Sequence, residues 1–342
     1  MKNTFGNAVS ITLFGESHGP SVGCILDGLA PGLPVNEAYI AELLTRRRPS
    51  SAISTLRREA DKFVIESGVF NGKTTGTPIC IRIPNEDTRS DDYNRLARPG
   101  HADYTANCKY HGYEDYRGGG HFSGRVTAAL VAAAGILLPA LEKKGIQIQT
   151  NIHRLAGIAG DGTIQITTEM EEKILSAKEN DDSVGGILET TVIGLPSGVG
   201  EPWFDSVEGM LSHALFSIPA VKGVAFGDGF RLADMLGSEA NDAFAITPTG
   251  VVTTTNHNGG INGGITNGMP LVFQCAIKPT PTIATPQKTI DLVSGAPVEL
   301  QAKGRHDPCI VQRAAVVVDA ITAITLCDLL TTRFGTDWLG EI

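Results

Sequence analysis

Two stretches of this chain, residues 123–144 and 314–330, carry apolar side chains on nearly every face of a helix. A helix with no polar side is buried on both sides, and a place between two sheets is one arrangement that would cover it. The first run is alanine-rich, with Gly145 placed as its C-cap, and the second is ended by Gly335. Further helices are expected from the cap Asn36 to residue 44, with Arg46, Arg47 and Arg48 at its end and Pro49 as the stop, and over 169–178 and 206–216. Strands are expected at 10–14, 62–67, 78–83, 186–193, 250–255 and 271–277, which alternate or are β-branched. These strands do not interleave with helices, which argues against a Rossmann or TIM layout and predicts an α+β fold.

No period of 20–50 residues and no low-complexity linker divides the 342 residues, so one large domain over 1–342 is expected. The longest apolar stretch, 126–141, falls short of the roughly 20 residues of a spanning helix and contains Pro139. The N-terminus lacks the apolar segment of a signal peptide, and the six cysteines are far apart with no CxxC. The expectation is a cytoplasmic protein with free thiols and no membrane contact. A net charge of -9 speaks against a nucleic-acid partner.

Forty glycines, well above the usual share of about 7%, concentrate in polar loops. Gly15-Glu16-Ser17-His18-Gly19 follows a strand, and His18 either projects toward a ligand or caps the strand end. In Arg98-Pro99-Gly100-His101-Ala102-Asp103, Asp103 either orients His101 or caps the next segment. Imidazoles, with an unperturbed pKa of about 6.5, suit proton transfer in both directions near neutrality. Gly118-Gly119-Gly120-His121-Phe122-Ser123-Gly124-Arg125 leads into a helix N-terminus, which favours an anion, and Arg125 adds a bidentate fork. Arg46, Arg47, Arg48, Arg57 and Arg58 either complement a helix dipole or focus a multiply charged anion. The runs 256–268, 278–282 and 304–308 are polar loops that also read as ordinary turns.

Gly68 to Thr74 imitates a phosphate-binding Walker loop but has three residues between its glycines instead of four, and reads as a hairpin turn at 71–74. No HExxH, GxGxxG or Cys/His cluster suggests a metal or dinucleotide.

Taken in order, FGESHG, RRRP, RREAD, SGVFNGKTTGTPI, RPGHADYT, DYRGGG, NGGINGGITNG, KPTPTI and GRHDPC resemble the chorismate synthases over nearly the whole chain. That resemblance implies a β-α-β sandwich, with long helices between antiparallel sheets, assembled as a homotetramer. It implies a lyase that converts 5-enolpyruvylshikimate 3-phosphate to chorismate by 1,4 anti elimination, with reduced FMN as cofactor and NADPH as a candidate reductant. His18 then matches a proton donor near the departing phosphate, His101 a histidine that protonates the reduced flavin, and Asp307 an aspartate that assists transfer of the C6 proton. Arg46, Arg47, Arg48, Arg125 and Arg305 match arginines for substrate anions. Flavin contacts carry over to His121, Phe122, Ser123, Pro219, Ala220, Gly263, Lys278, Pro279, Thr280, Pro281, Thr282 and Arg305. Where the family usually reads GGGRSSARET this chain has GGGHFSGRVT, so His121 and Phe122 stand in place of an arginine and a serine.

Overall fold

The structure is a computed structural model and describes residues 2–48, 61–86, 94–248, 250–301 and 307–340. Two five-stranded antiparallel sheets enclose a layer of helices. The first sheet has the spatial order Thr4–Phe5, Ser10–Gly15, Ser21–Asp27, Ile79–Pro84, Val64–Ile65. The second runs Val221–Phe226, Leu271–Ile277, Gly186–Ile193, Gln147–Leu155, Ile158–Ala159. Strand alternation points one face of each sheet inward: Ile79, Ile81 and Ile83 in the first, Leu271, Phe273, Cys275 and Ile277 in the second, all buried.

The helices Thr127–Lys143 and Val311–Phe334 pack on each other and touch both sheets. Their all-round apolarity is thereby explained, and the fold is α+β as expected. Counted with the short helical turn before it, the first spans Gly124–Lys143, and both helices are then long and apolar enough to cross a membrane, contrary to the length argument made from residues 126–141, but about nine-tenths of each apolar window is buried inside the protein. The first helix passes through Pro139 without breaking. Proline there removes one backbone hydrogen bond, and packing on every side outweighs that loss. Close approach is set by small residues. A Cβ on Gly135 would lie 2.6 Å from Ile40 Cγ1, so the helix Glu37–Arg47 rests directly on this point.

Asn36 caps that helix by accepting from the N–H groups of Ala38 and Tyr39. The helices Thr168–Glu179 and Val207–Leu215 also lie where the sequence puts them, capped by Thr167 and Ser206. The near-Walker segment is the expected hairpin, with Val69–Phe70 paired to Lys73–Thr74. Other features differ from expectation. The strand at 62–67 shrinks to Val64–Ile65, and that at 250–255 is Gly250–Thr253, paired with Phe244–Thr247 outside both main sheets. Strands Ser21–Asp27, Gln147–Leu155 and Val221–Phe226, and the helix Asp103–Tyr110, were not expected. Each of the three strands lacks a clean period of two. Ser21–Asp27 is buried at three successive positions, and Val221–Phe226 pairs with a register shift.

Candidate active site

The first sheet delivers several loops to one end. Ser10–Gly15 leads into His18, and Ile79–Pro84 ends beside Asn85. The Asn85 side-chain amide donates to the carbonyls of Glu16 and Gly19, at 2.9 and 2.8 Å, and so pins the histidine loop. The glycine-rich loop is stitched to the same place: Ser17 N donates to Gly120 O at 3.0 Å and His121 Nδ1–H to Gly15 O at 2.8 Å.

All three glycines of that loop have positive φ: 59° at Gly118, 86° at Gly119 and 54° at Gly120. Side chains are excluded here for a second reason. A Cβ on Gly118 would sit 2.2 Å from His18 Cε1, and one on Gly119 would sit 3.0 Å from His101 Cε1. Bare backbone therefore separates the two imidazoles, and the glycine loop brings them to one cavity.

That cavity, about 1300 Å³, is lined by His18, His101, Arg125 and Asp307, which are as much as 289 positions apart in the chain. Arg47, Arg48, His121, Phe122, Ser123, Pro219, Ala220, Lys278, Thr280, Pro281 and Thr282 line it too. Three expected residues do not. Arg46 turns to the other side of its helix, 3.7 Å from Asp319 and half exposed, because successive helical residues are rotated by about 100°. Gly263 forms the turn between Ile261–Asn262 and Ile265–Thr266. Pro279 packs against Gly185 while Lys278 and Thr280 face the cavity. Arg57, Arg58 and Arg305 lie outside the described residues.

Asp103 orients His101. Its carboxylate accepts from His101 Nδ1–H at 2.7 Å and from Arg98 Nε and Nη2 at 2.7 and 2.8 Å. A carboxylate only accepts, so the ring proton belongs on Nδ1 and Nε2 is left for exchange. Burial would raise the Asp103 carboxyl, but hydrogen bonds from Arg98 and His101 prevail and hold it well below the usual range. Asp61, buried, accepts from Arg47 at 2.9 Å and is ion-paired with Arg125 and Arg48. Here too burial opposes ionisation, and Arg47 and Arg125 outweigh it and keep the carboxyl low. Asp307 pairs with Arg313, and the Lys278 ammonium donates to Gly100 O, joining the 278–282 run to the His101 loop. Asp103 as the partner of His101 was one of two readings of its loop; Asp61, Arg98 and Arg313 were not singled out, and for Asp61 the reason is that its arginine partners lie on other elements.

Three residues that line the cavity carry a buried polar atom without a partner among the described residues: Thr280 Oγ1, Arg47 Nε and Arg313 Nε. Buried donors of this kind suit a polyanionic ligand. Exchangeable protons, fixed cations and a large volume equip the cavity for acid–base chemistry on such a molecule.

The chorismate synthase family profile matches residues 9–331. A chorismate synthase of Thermococcus gammatolerans is 46% identical, with 98% of this chain and 99% of the relative covered. One from Chitinophaga pinensis is 47% identical over 96% of each. A chorismate synthase crystal structure superposes with a TM-score of 0.76 at 29% identity, covering 98% of this chain and 95% of the other. With a family match over nearly its full length, relatives well above 40% identity and a shared fold, the chain belongs to the chorismate synthases, a family of carbon–oxygen lyases.

Proposed function

We propose that the chain eliminates phosphate from 5-enolpyruvylshikimate 3-phosphate, with loss of the C6 hydrogen, to give chorismate, the last common step toward the aromatic amino acids. The observation that carries this reading is the convergence of His18, His101, Arg125 and Asp307 on one cavity. The substrate bears two carboxylates and a phosphate, and Arg47, Arg48, Arg125, Arg313 and Lys278 offer the matching cations. Enclosed position and polar donors make His18 the group that hands a proton to the departing phosphate. His101, with Nδ1 tied to Asp103, exchanges its proton at Nε2. Asp307 holds the remaining carboxylate role beside Arg313.

Reduced FMN fits the same cavity by its volume, by the unpartnered Thr280 hydroxyl and by the cations around it. Phe122, Ser123, Pro219, Ala220, Lys278 and Thr280 to Thr282 would hold it. When bound, reduced flavin supplies electron density transiently to the bond that releases phosphate. Anaerobic assay of the chain with reduced FMN and substrate is expected to release phosphate and form chorismate in equal amounts; no turnover with flavin bound would sink the reading. Replacing the chemical reductant by NADPH in the same assay tests NADPH as electron source.

The single continuous core supports one domain over the chain, and a cytoplasmic location goes with the proposed pathway step. A homotetramer is supported by an uncovered apolar hairpin face. Phe244, Ile246 and Val251 lie on one side of the pair Phe244–Thr247 and Gly250–Thr253, at 72%, 90% and 65% exposure. Ile246→Asp is expected to reduce the mass seen by light scattering, and a monomeric parent chain would refute the assembly.

A further inference from the structure

We propose that Asp61 is a positioning residue that builds the arginine wall of the cavity and fixes how much anionic charge that wall accepts. The inference rests on the reading of the cavity as the substrate site. One carboxylate joins guanidinium groups from two separate elements. Asp61 Oδ2 takes Arg47 Nη2 at 2.9 Å and has Arg48 Nε at 3.5 Å, both from the end of the helix Glu37–Arg47, while Oδ1 is paired with Arg125 from the loop before Thr127–Lys143. Asn85 Oδ1 and Pro84 O fix the rest of the Arg125 fork, at 3.0 and 3.1 Å. Without the carboxylate, three like charges would crowd one wall, and their repulsion would spread them.

Asp61 borders the cavity, but its side chain is fully buried behind the arginines it pairs with. Exposure rises outward through the cluster, from 4% at Arg125 to 15% at Arg47 and 29% at Arg48. The incoming anion therefore meets the outer arginines with Asp61 behind them. Arg47 Nε is a buried donor without a partner among the described residues, while its Nη2 is held by Asp61. The Asp61 backbone has φ of 49°, in the left-handed region that aspartate tolerates better than most side chains. Burial pulls the Arg47 pKa down, and Asp61 is the main opposing influence that keeps the guanidinium charged.

Three cations in front of one carboxylate leave two positive charges, matched to a doubly charged anionic group. Removing the carboxylate charge leaves three positive charges that are less well placed. The two consequences have opposite signs, which a merely structural role would not produce. In Asp61→Asn, binding of inorganic sulfate to the flavin-free protein, read by calorimetry, is expected to tighten, on the order of tenfold. Turnover of the phosphorylated substrate is expected to fall by about the same factor or more. Asp61→Glu keeps the charge but shifts it by a methylene; sulfate affinity should stay within about twofold of the parent while turnover falls. A folded Asp61→Asn that binds sulfate no better than the parent overturns the proposal. If that variant does not fold, Asp61→Glu decides: unchanged turnover, or a large change in sulfate affinity, overturns it equally. The sulfate arm needs no catalysis, so a parent chain without lyase activity would refute the assigned reaction and leave the Asp61 result readable.

Discussion

Gly118→Ala isolates the part played by the glycine loop. Two penalties are built into that position. The backbone stands at φ 59° and ψ 15°, where alanine is disfavoured by about 1 kcal/mol. The new Cβ would lie 2.2 Å from His18 Cε1 and 2.3 Å from Nδ1. Carbon atoms in contact sit about 3.5–4.0 Å apart, so the imidazole must retreat by more than about 1 Å. His18 is only 8% exposed, and its loop is pinned by Asn85, so little room is open for that retreat. A 1 Å displacement of a reacting group costs about a hundredfold in rate. Gly72→Ala is the control: φ is 71°, and nothing lies within 4 Å of the added carbon. Both variants should melt a few degrees lower, about 2–4 °C per kcal/mol for a large domain. Only Gly118→Ala should lose turnover, by roughly a hundredfold in anaerobic phosphate release with reduced FMN. Turnover within about threefold of the parent would refute the argument that bare backbone at this point is what sets the His18 position.

Asp103→Asn should lower turnover by about 10²-fold or more, because an amide no longer enforces the Nδ1–H tautomer of His101; a pH–rate profile identical to that of the parent would contradict this. Asp328, 1% exposed, accepts from the N–H groups of Asn7, Ala8 and Val9 at 2.7–3.0 Å, so Asp328→Ala should cost about 3 kcal/mol or more in denaturant unfolding; a loss below about 1 kcal/mol would contradict that role. Asp319 in the same helix is pushed up to about 7 by burial, against the pull of Thr150 and Arg46. Its folded-state value lies above the ordinary aspartate value of 3.8, so the folded chain binds the extra proton and this group's contribution falls as pH rises from about 4 to about 7. Asp319→Asn should therefore gain melting temperature over the parent at pH 8 and lose that advantage near pH 5; equal differences at both pH values would refute it.

The two central helices were legible because their apolarity has no polar side, so no face of them can be left in water. Caps at Asn36 and Ser206, and the hairpin at 71–74, were legible because their signals are local. Ser21–Asp27 was not, since a strand buried at consecutive positions has no period to read. In the site, His18, His101 and Arg125 stood out as loop residues flanked by glycine. Asp61 and Arg313 did not, because their importance lies in partners on other elements. Arg46 could not be told from its neighbours for a related reason: three adjacent arginines look alike in sequence, and only Arg47 and Arg48 line the cavity while Arg46 lies beside Asp319.

The carboxylates of the cavity answer how a cluster of arginines persists in a folded chain before any anion arrives. Among the described lining residues, eight lysines and arginines face five carboxylates, an excess of three positive charges within a chain of net charge -9. Asp61, Asp103, Asp115 and Asp307 are each paired with at least one arginine, and Glu114 lies 3.5 Å from Arg95. A carboxylate occupies one edge of a guanidinium fork that carries five N–H donors, so each pair fixes a direction while leaving donors over. The arginines therefore need not be collected by the ligand, and the ordering cost is met during folding. The surplus charge is confined to a cavity walled by apolar helix, where screening is weaker than at the surface. An acidic protein can thus hold a strongly cationic site: the negative charge that balances it is partly outside, and partly inside, bonded to the arginines it orients.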